Sequence, residues 1–449
     1  MPITWNAELA AHLLRRTGFA ASPKAVKRAV KRGHGKTVKR LIRPQKRLAR
    51  KPKQADGLIR MGSWWVRRMV KTRKPLAEKL TLFWHNHFAT AFHKVGSDAR
   101  MFEHVATLRT HALGSFRELV LAMARDPAML VWLDNRTNYA DSINENWARE
   151  LMEVFTTGVL DQNGDPNYTE TDVVEVARAF TGWSLQHDEF LFKESKHDYG
   201  QKTVKGVTGN LDGDDIVDIL VNDPATARRI PQQLWSFLAY PIALDDPLCD
   251  ELAAVYVASD GDIATIVEAI LMHDAFFSEP ALHSRVKSPA EWMAGAILHT
   301  GARIRKGDGW SLGDKLRDMG QTLFDPPSVF GWNQGLPWVE ASGLLARAST
   351  GAWIAMARHK THPLLLHPRR LMGPKGKWDE LDASAVVTRV LEALDLSHAS
   401  PATTAVLEDY ARADVFGLPQ AVVVDDDFID KKVRGLIAVA LACPEYQMA

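Results

Sequence analysis

Two short segments of this chain gather the side-chain types from which hydrolytic sites are built. The first, Leu80-Thr-Leu-Phe-Trp-His-Asn-His-Phe-Ala-Thr90, sets His85, Asn86 and His87 among aromatic and aliphatic residues. The second, Asn144-Glu-Asn-Trp-Ala-Arg-Glu-Leu-Met-Glu153, holds three carboxylates, an arginine and two asparagines. A buried charge costs several kcal/mol unless it is paired, so such clusters inside apolar sequence mark a site or a buried polar network.

A His-x-His pair is a common way to offer two imidazoles to one metal ion, because alternate side chains share a face where the chain is extended. On a continuous helix, residues two apart diverge by about 200°. His85 and His87 therefore hold one divalent ion, the cofactor these residues would call for, only if the helix ends there. Glu78 lies seven residues before His85 and shares its helical face. The alternative makes His87 a core histidine, His85 a hydrogen-bonded residue near a helix end and Asn86 a cap.

In the second segment Asn146, Arg149, Glu150 and Glu153 fall at offsets of three, four and seven, on one helical face, with Trp147, Leu151, Val154 and Phe155 largely on the other. Glu150 or Glu153 could serve as a base, Arg149 as an anion clamp or carboxylate orienter, and Asn146 as a polar contact for substrate. Composition alone would equally suit an Arg149–Glu153 pair on a solvated face. His197 and Asp198 form a further acid–base candidate if the carboxylate fixes the imidazole tautomer. Neighbouring strand residues point opposite ways, so the two need not touch. Pro326-Pro327 and Gly331 punctuate the loop around Trp332, which makes that indole the best candidate for an exposed aromatic face against a sugar ring or peptide.

Other chemistries lack their signatures. There is no Gly-x-Ser-x-Gly elbow, phosphate-binding P-loop or His-Glu-x-x-His, and neither Glu150-Leu-Met-Glu153 nor the histidine segment supplies the Glu-x-x-His pattern of ferritin-like di-iron sites. Asp161 to Asp172 mimics calcium-loop spacing, but Pro166 stands where glycine must turn and Asp172 replaces the long bidentate glutamate. Two cysteines, Cys249 and Cys443, exclude a disulfide framework and a cysteine zinc site.

The elements that position these residues read as helices. Leu76, Leu80, Phe83, Trp84 and His87 make one stripe; Val173, Val176, Ala177 and Phe180 make another. Helical stretches recur over 100–125, 216–240, 250–277, 287–304, 339–358, 383–396 and 430–443. Thr169-Glu-Thr-Asp172 and Ser288-Pro-Ala-Glu291 read as helix N-termini. The expectation is a mainly α, large multi-helix globular body with one short β-hairpin near 189–207. Three regions are expected: a basic helical one over 1–60, the main body over 61–340, and a C-terminal one over 341–449 packed on the same body.

Hydrophobic residues make up 46% and charged residues 24%, the balance of a globular protein. No apolar run nears the roughly 20 residues that span a bilayer. The start lacks a basic n-region and apolar stretch, so the cytoplasm is the expected compartment. Between Lys24 and Lys53 stand fourteen Lys or Arg and no Asp or Glu. Such a stretch can bind an anionic polymer or form a solvated helix face. The lack of interleaved aromatics argues against specific nucleic-acid binding.

Longer strings carry a family resemblance. They include His12-Leu-Leu-Arg-Arg-Thr-Gly-Phe19, Glu78 to Thr90, Arg125-Asp-Pro-Ala-Met-Leu130 and Asn144 to Glu153. Tyr168-Thr-Glu-Thr-Asp-Val173, Ala177-Arg-Ala-Phe-Thr-Gly-Trp183, Lys287-Ser-Pro289 and Phe324-Asp-Pro-Pro-Ser-Val-Phe-Gly-Trp332 follow in order. Together they resemble the bacterial family known as domain of unknown function 1800, over nearly the whole chain. The resemblance implies a largely helical bacterial protein and no particular reaction. Relatives often accompany an exported family, domain of unknown function 1501, which implies a possible companion and envelope association. Taken together, the residues point to a hydrolase, metal-assisted at His85 and His87, acting on a polar or polymeric substrate. The alternative is a non-enzymatic helical scaffold or accessory protein for a partner.

Overall fold

A computed structural model describes residues 3–43, 57–305, 310–414 and 416–449. The N-terminal region forms α1 (Ala7–Arg16), capped by the Asn6 side chain, then α2 (Pro23–Arg32) with proline in its first turn, then α3 (His34–Leu41). α4 (Leu58–Lys71) and α5 (Pro75–His87) follow. The basic stretch over 24–53 is helical as far as it is described, with Ala29, Thr37 and Val38 buried and most Lys and Arg facing outward. Its remainder, from residue 44, lies outside the described residues.

Both expected N-termini are capping boxes. Thr169 with Asp172 opens the helix Glu170–Ala179, and Ser288 with Glu291 opens Pro289–Thr300. Turns divide the longer periodic stretches: 100–125 becomes Asp98–His111 and Phe116–Ala124, the second restarted by the Ser115 cap.

The region near 189–207 holds two hairpins rather than one. β1 (Trp183–Gln186) pairs with β2 (Glu189–Phe192), and β3 (Lys202–Val204) with β4 (Val207–Gly209), all antiparallel. Their two-residue turns, His187-Asp188 and Lys205-Gly206, sit at positive φ, as the twist of tight hairpins requires. A third small sheet joins β5 (Arg303–Ile304) to β6 (Leu364–Leu365). Everything else regular among the described residues is helical. No described helix is long and apolar enough to cross a membrane.

Two large apolar clusters fill the interior. One joins Met61 and Trp65 of α4 to Trp292 and Met293 and to Ile354, Ile437, Leu441 and Tyr446 near the C-terminus. The other joins Leu13 and Val38 to Trp147, Phe180, Trp235 and Ile266. α5 contributes to both: Leu82 to the first, and Leu76, Leu80, Phe83 and Trp84 to the second. Every α5 residue from Leu76 to His87 except Asn86 is buried. A helix enclosed on all sides has no water to receive its polar groups, so each needs a partner from the body.

Candidate active site

The polar residues of α5 find such partners in different directions. Glu78, fully buried, accepts from the Trp65 indole (2.8 Å) and Arg109 Nη2 (2.8 Å), and pairs with Arg68 Nε (2.6 Å). Lys79 donates to the Gly18 carbonyl (2.9 Å) and pairs with Glu291. Burial draws its pKa down to about 8. Glu291 in turn accepts from Arg285 Nη1 (3.0 Å) and the Ser288 amide (2.8 Å).

His85 and His87 do not converge. α5 runs unbroken through both, so the rings leave on different sides. His85 Nε2 accepts from the Phe324 amide (3.1 Å), and its ring packs 5.3 Å from Trp65 and 5.4 Å from Trp332. That amide occupies the lone pair a metal would take, and places the proton of the neutral ring on Nδ1. Burial, with the charges of His104 and Arg109, holds the His85 pKa well below its usual value. His87 Nε2–H donates to the Phe155 carbonyl (3.1 Å). Burial and the nearby Arg229 charge pull its pKa down to about 3. The helix ends at His87, but only after both histidines are built into it, so their rings diverge and joint chelation is not the arrangement found. Among the described residues no group of three or more His, Cys, Asp or Glu is placed to hold a metal ion.

The His87–Phe155 bond ties α5 to the turn in which the second polar segment ends. Asn146–Glu150 is α-helical, and Leu151–Phe155 is a π turn. Such turns insert a residue into the ladder and recur at functional sites. Thr156 and Thr157 hydroxyls close it by donating to the Leu151 (2.6 Å) and Met152 (3.0 Å) carbonyls.

On this element Glu150 is half-buried, and its Oε2 is sealed from water with no hydrogen-bond partner among the described residues. Burial, with the charge of Glu153 added and that of Arg149 opposing, raises its pKa to about 7. Arg229, largely buried on the helix Pro224–Leu238, acts electrostatically on both Glu153 and His87. Its Nη1 would lie 2.9 Å from a Cβ at Gly158, whose φ is +79°. Tyr168 completes the group: burial and the Glu153 charge raise its pKa.

The other expected site residues are placed differently. Arg149 pairs with Glu145 (3.2 Å) and, through two nitrogens, with Glu170 (2.8 and 3.0 Å), and forms no bridge to Glu153. Asn146 is exposed at the start of its helix. His197 and Asp198 point apart: the ring donates from Nδ1 to the Thr181 carbonyl (2.8 Å), while the carboxylate accepts from Arg178 Nε (2.7 Å). They tie their loop to the helix Glu170–Ala179, and the tautomer-fixing pair is not formed. Trp332 is buried rather than exposed, because its amide donates to Asn86 Oδ1 (2.7 Å) and draws the loop onto His85. Gly331 makes that approach at φ +75°, where any Cβ would meet Asn86.

Residues 12–448 match the family described as Protein of unknown function (DUF1800). The chain belongs to the DUF1800 family. No curated protein and no solved structure matches this DUF1800 protein. Sequence reasoning missed Arg229, Tyr168 and Gln233, whose side chain meets His87. Arg229 and Gln233 stand four apart beside the apolar Ile230, Leu234 and Trp235, and that spacing was the available signal.

Proposed function

We propose that this DUF1800 protein is a hydrolase of polar substrates, with Glu150 as its acid–base group and Glu153 as the companion carboxylate. The observation that carries the reading is the half-buried Glu150, one oxygen sealed with no partner among the described residues, whose pKa is raised to about 7 by burial and by the nearby Glu153 carboxylate. A carboxyl poised there takes a proton from attacking water and returns it to the leaving group at neutral pH. Arg229 would offset negative charge that develops on the substrate. Arg149, held by Glu145 and Glu170, positions the helix and opposes the rise at Glu150. His87 serves behind the site as a neutral donor that fixes the π turn. The metal-assisted form has less support, since each imidazole is already committed on its own side of α5. The test is a screen of ester, amide and glycoside substrates with wild type and Glu150→Gln. A folded E150Q protein without activity, where wild type shows a rate inflection near pH 7, supports the proposal. Equal activity in both sinks it.

The scaffold reading is favoured by one observation, the complete enclosure of Glu78 and Lys79 in matched networks. On that reading the motif strings serve packing, and E150Q would change partner binding rather than turnover. A binder of anionic polymer through residues 24–53 predicts steep salt dependence of binding.

A further inference from the structure

A cleft of about 1000 Å³ opens between α1, α2 and the turns that carry His283 and Asp395. It shares no residue with the Glu150 group. Its walls differ in chemistry. Ala7 and Ala11 of α1 face Pro23, Val26 and Val30 of α2. One turn beyond Ala11 on the same stripe stands Arg15, and the wall becomes polar.

Arg15 is 6% exposed. Its Nη1 donates to Asp395 (2.7 Å) and its Nη2 contacts His283 Nε2 (3.3 Å), while Nε has no partner among the described residues. His283 and His398 stack at 3.6 Å. Arg16 adds buried positive charge behind them, beside Lys287, which is held by the Tyr446 carbonyl (2.8 Å). The nearby Glu291 is already paired with Lys79 and Arg285. At the rim Lys27 and Lys31 are offset by Glu8 and Glu392. The inner end therefore carries more cation than anion. The same excess, after burial, keeps the pKa values of His283, His398 and Lys287 low.

Backbone conformation gives an independent sign. His283 and Asp395 both lie in the left-handed region, at φ 51° and 59°. Asp395 stands just past the helix Ala383–Ala393, where Leu396 N–H bonds to the Leu391 carbonyl (2.8 Å) and Asp395 N–H to that of Glu392 (3.2 Å). That helix ending favours glycine. Asp and His are among the few non-glycine residues that adopt this conformation, and both side chains meet Arg15.

We infer that this cleft binds a small amphipathic acid, its apolar body lying along α1 and α2 and its carboxylate reaching Arg15. Ala7 to Arg15 covers about 12 Å of helix axis, which suits an extended acyl chain of medium length. The cleft volume is within the range of small-molecule sites.

Decanoate is the probe, titrated calorimetrically into the full chain, with decyltrimethylammonium as its cationic counterpart. The expected result is saturable one-to-one binding of decanoate, about tenfold or more weaker in Arg15→Gln and in Val26→Trp, with no comparable binding of the cation. Val26→Trp fills the cleft from a half-exposed position and stays informative if Arg15→Gln, which strips Asp395 of its partner, fails to fold. Absence of saturable decanoate binding, an unchanged affinity in either folded variant, or equal binding of the cation overturns the inference.

Discussion

Glu78 and Glu150 show how surroundings divide the work of two carboxylates. Glu78 meets two guanidinium groups and an indole, so its charge is matched inside the core. Replacing it by alanine leaves those cations unpaired, and Glu78→Ala should lose about 3–5 kcal/mol in denaturant unfolding. Glu150 lacks that compensation. Its folded pKa of about 7 lies above the ordinary 4.5, so the native state favours the protonated form. Its contribution to stability is full below pH 4.5 and is lost as pH rises through 7. The neutral isostere Glu150→Gln should therefore be more stable than wild type at pH 8, by about 1 kcal/mol once screening on its open side is allowed for. Thermal melts at pH 4 and pH 8 check this: the difference should vanish at the lower pH. The residue types of both sites were legible in the sequence, but the partners were not. Nothing near Glu78 in sequence announces Arg109, and nothing near Glu150 announces that Arg149 turns toward Glu170.

Periodicity and capping chemistry are local, so the helices and the two capping boxes are legible in the order of residues alone. The π turn at Leu151–Phe155 and the split of one expected hairpin into two are not. The first is fixed by Thr156, Thr157 and His87 closing on its carbonyls. The second depends on His187-Asp188 adopting positive φ without a glycine to signal it. Gly158 tests the π turn directly. Alanine there must keep φ near +79° and press on Arg229, so Gly158→Ala should cost about 1–2 kcal/mol. If Arg229 supports Glu153, the same variant should also reduce turnover. Ser288→Ala removes the cap beside Glu291 and should lose about 1 kcal/mol in chemical unfolding.

Across the molecule, the cores do not follow chain order. Met61 and Trp65 pack in one cluster with Ile437 and Tyr446, and α5 contributes to both clusters. A chain ending at residue 340 should therefore fail to give a native circular dichroism spectrum or a cooperative melt. The intact protein should unfold in one calorimetric transition that both clusters share. The enclosure of α5 also has a consequence in time. His85 finds its amide 239 positions further along the chain, and Lys79 its carboxylate on the helix that begins at Pro289. Until those distant segments arrive, the charges of α5 must stay hydrated. Closure of loops that long precedes any reward from the contacts they bring. Refolding should thus be slow and prone to aggregation, with α5 among the last segments to gain protection from amide hydrogen exchange.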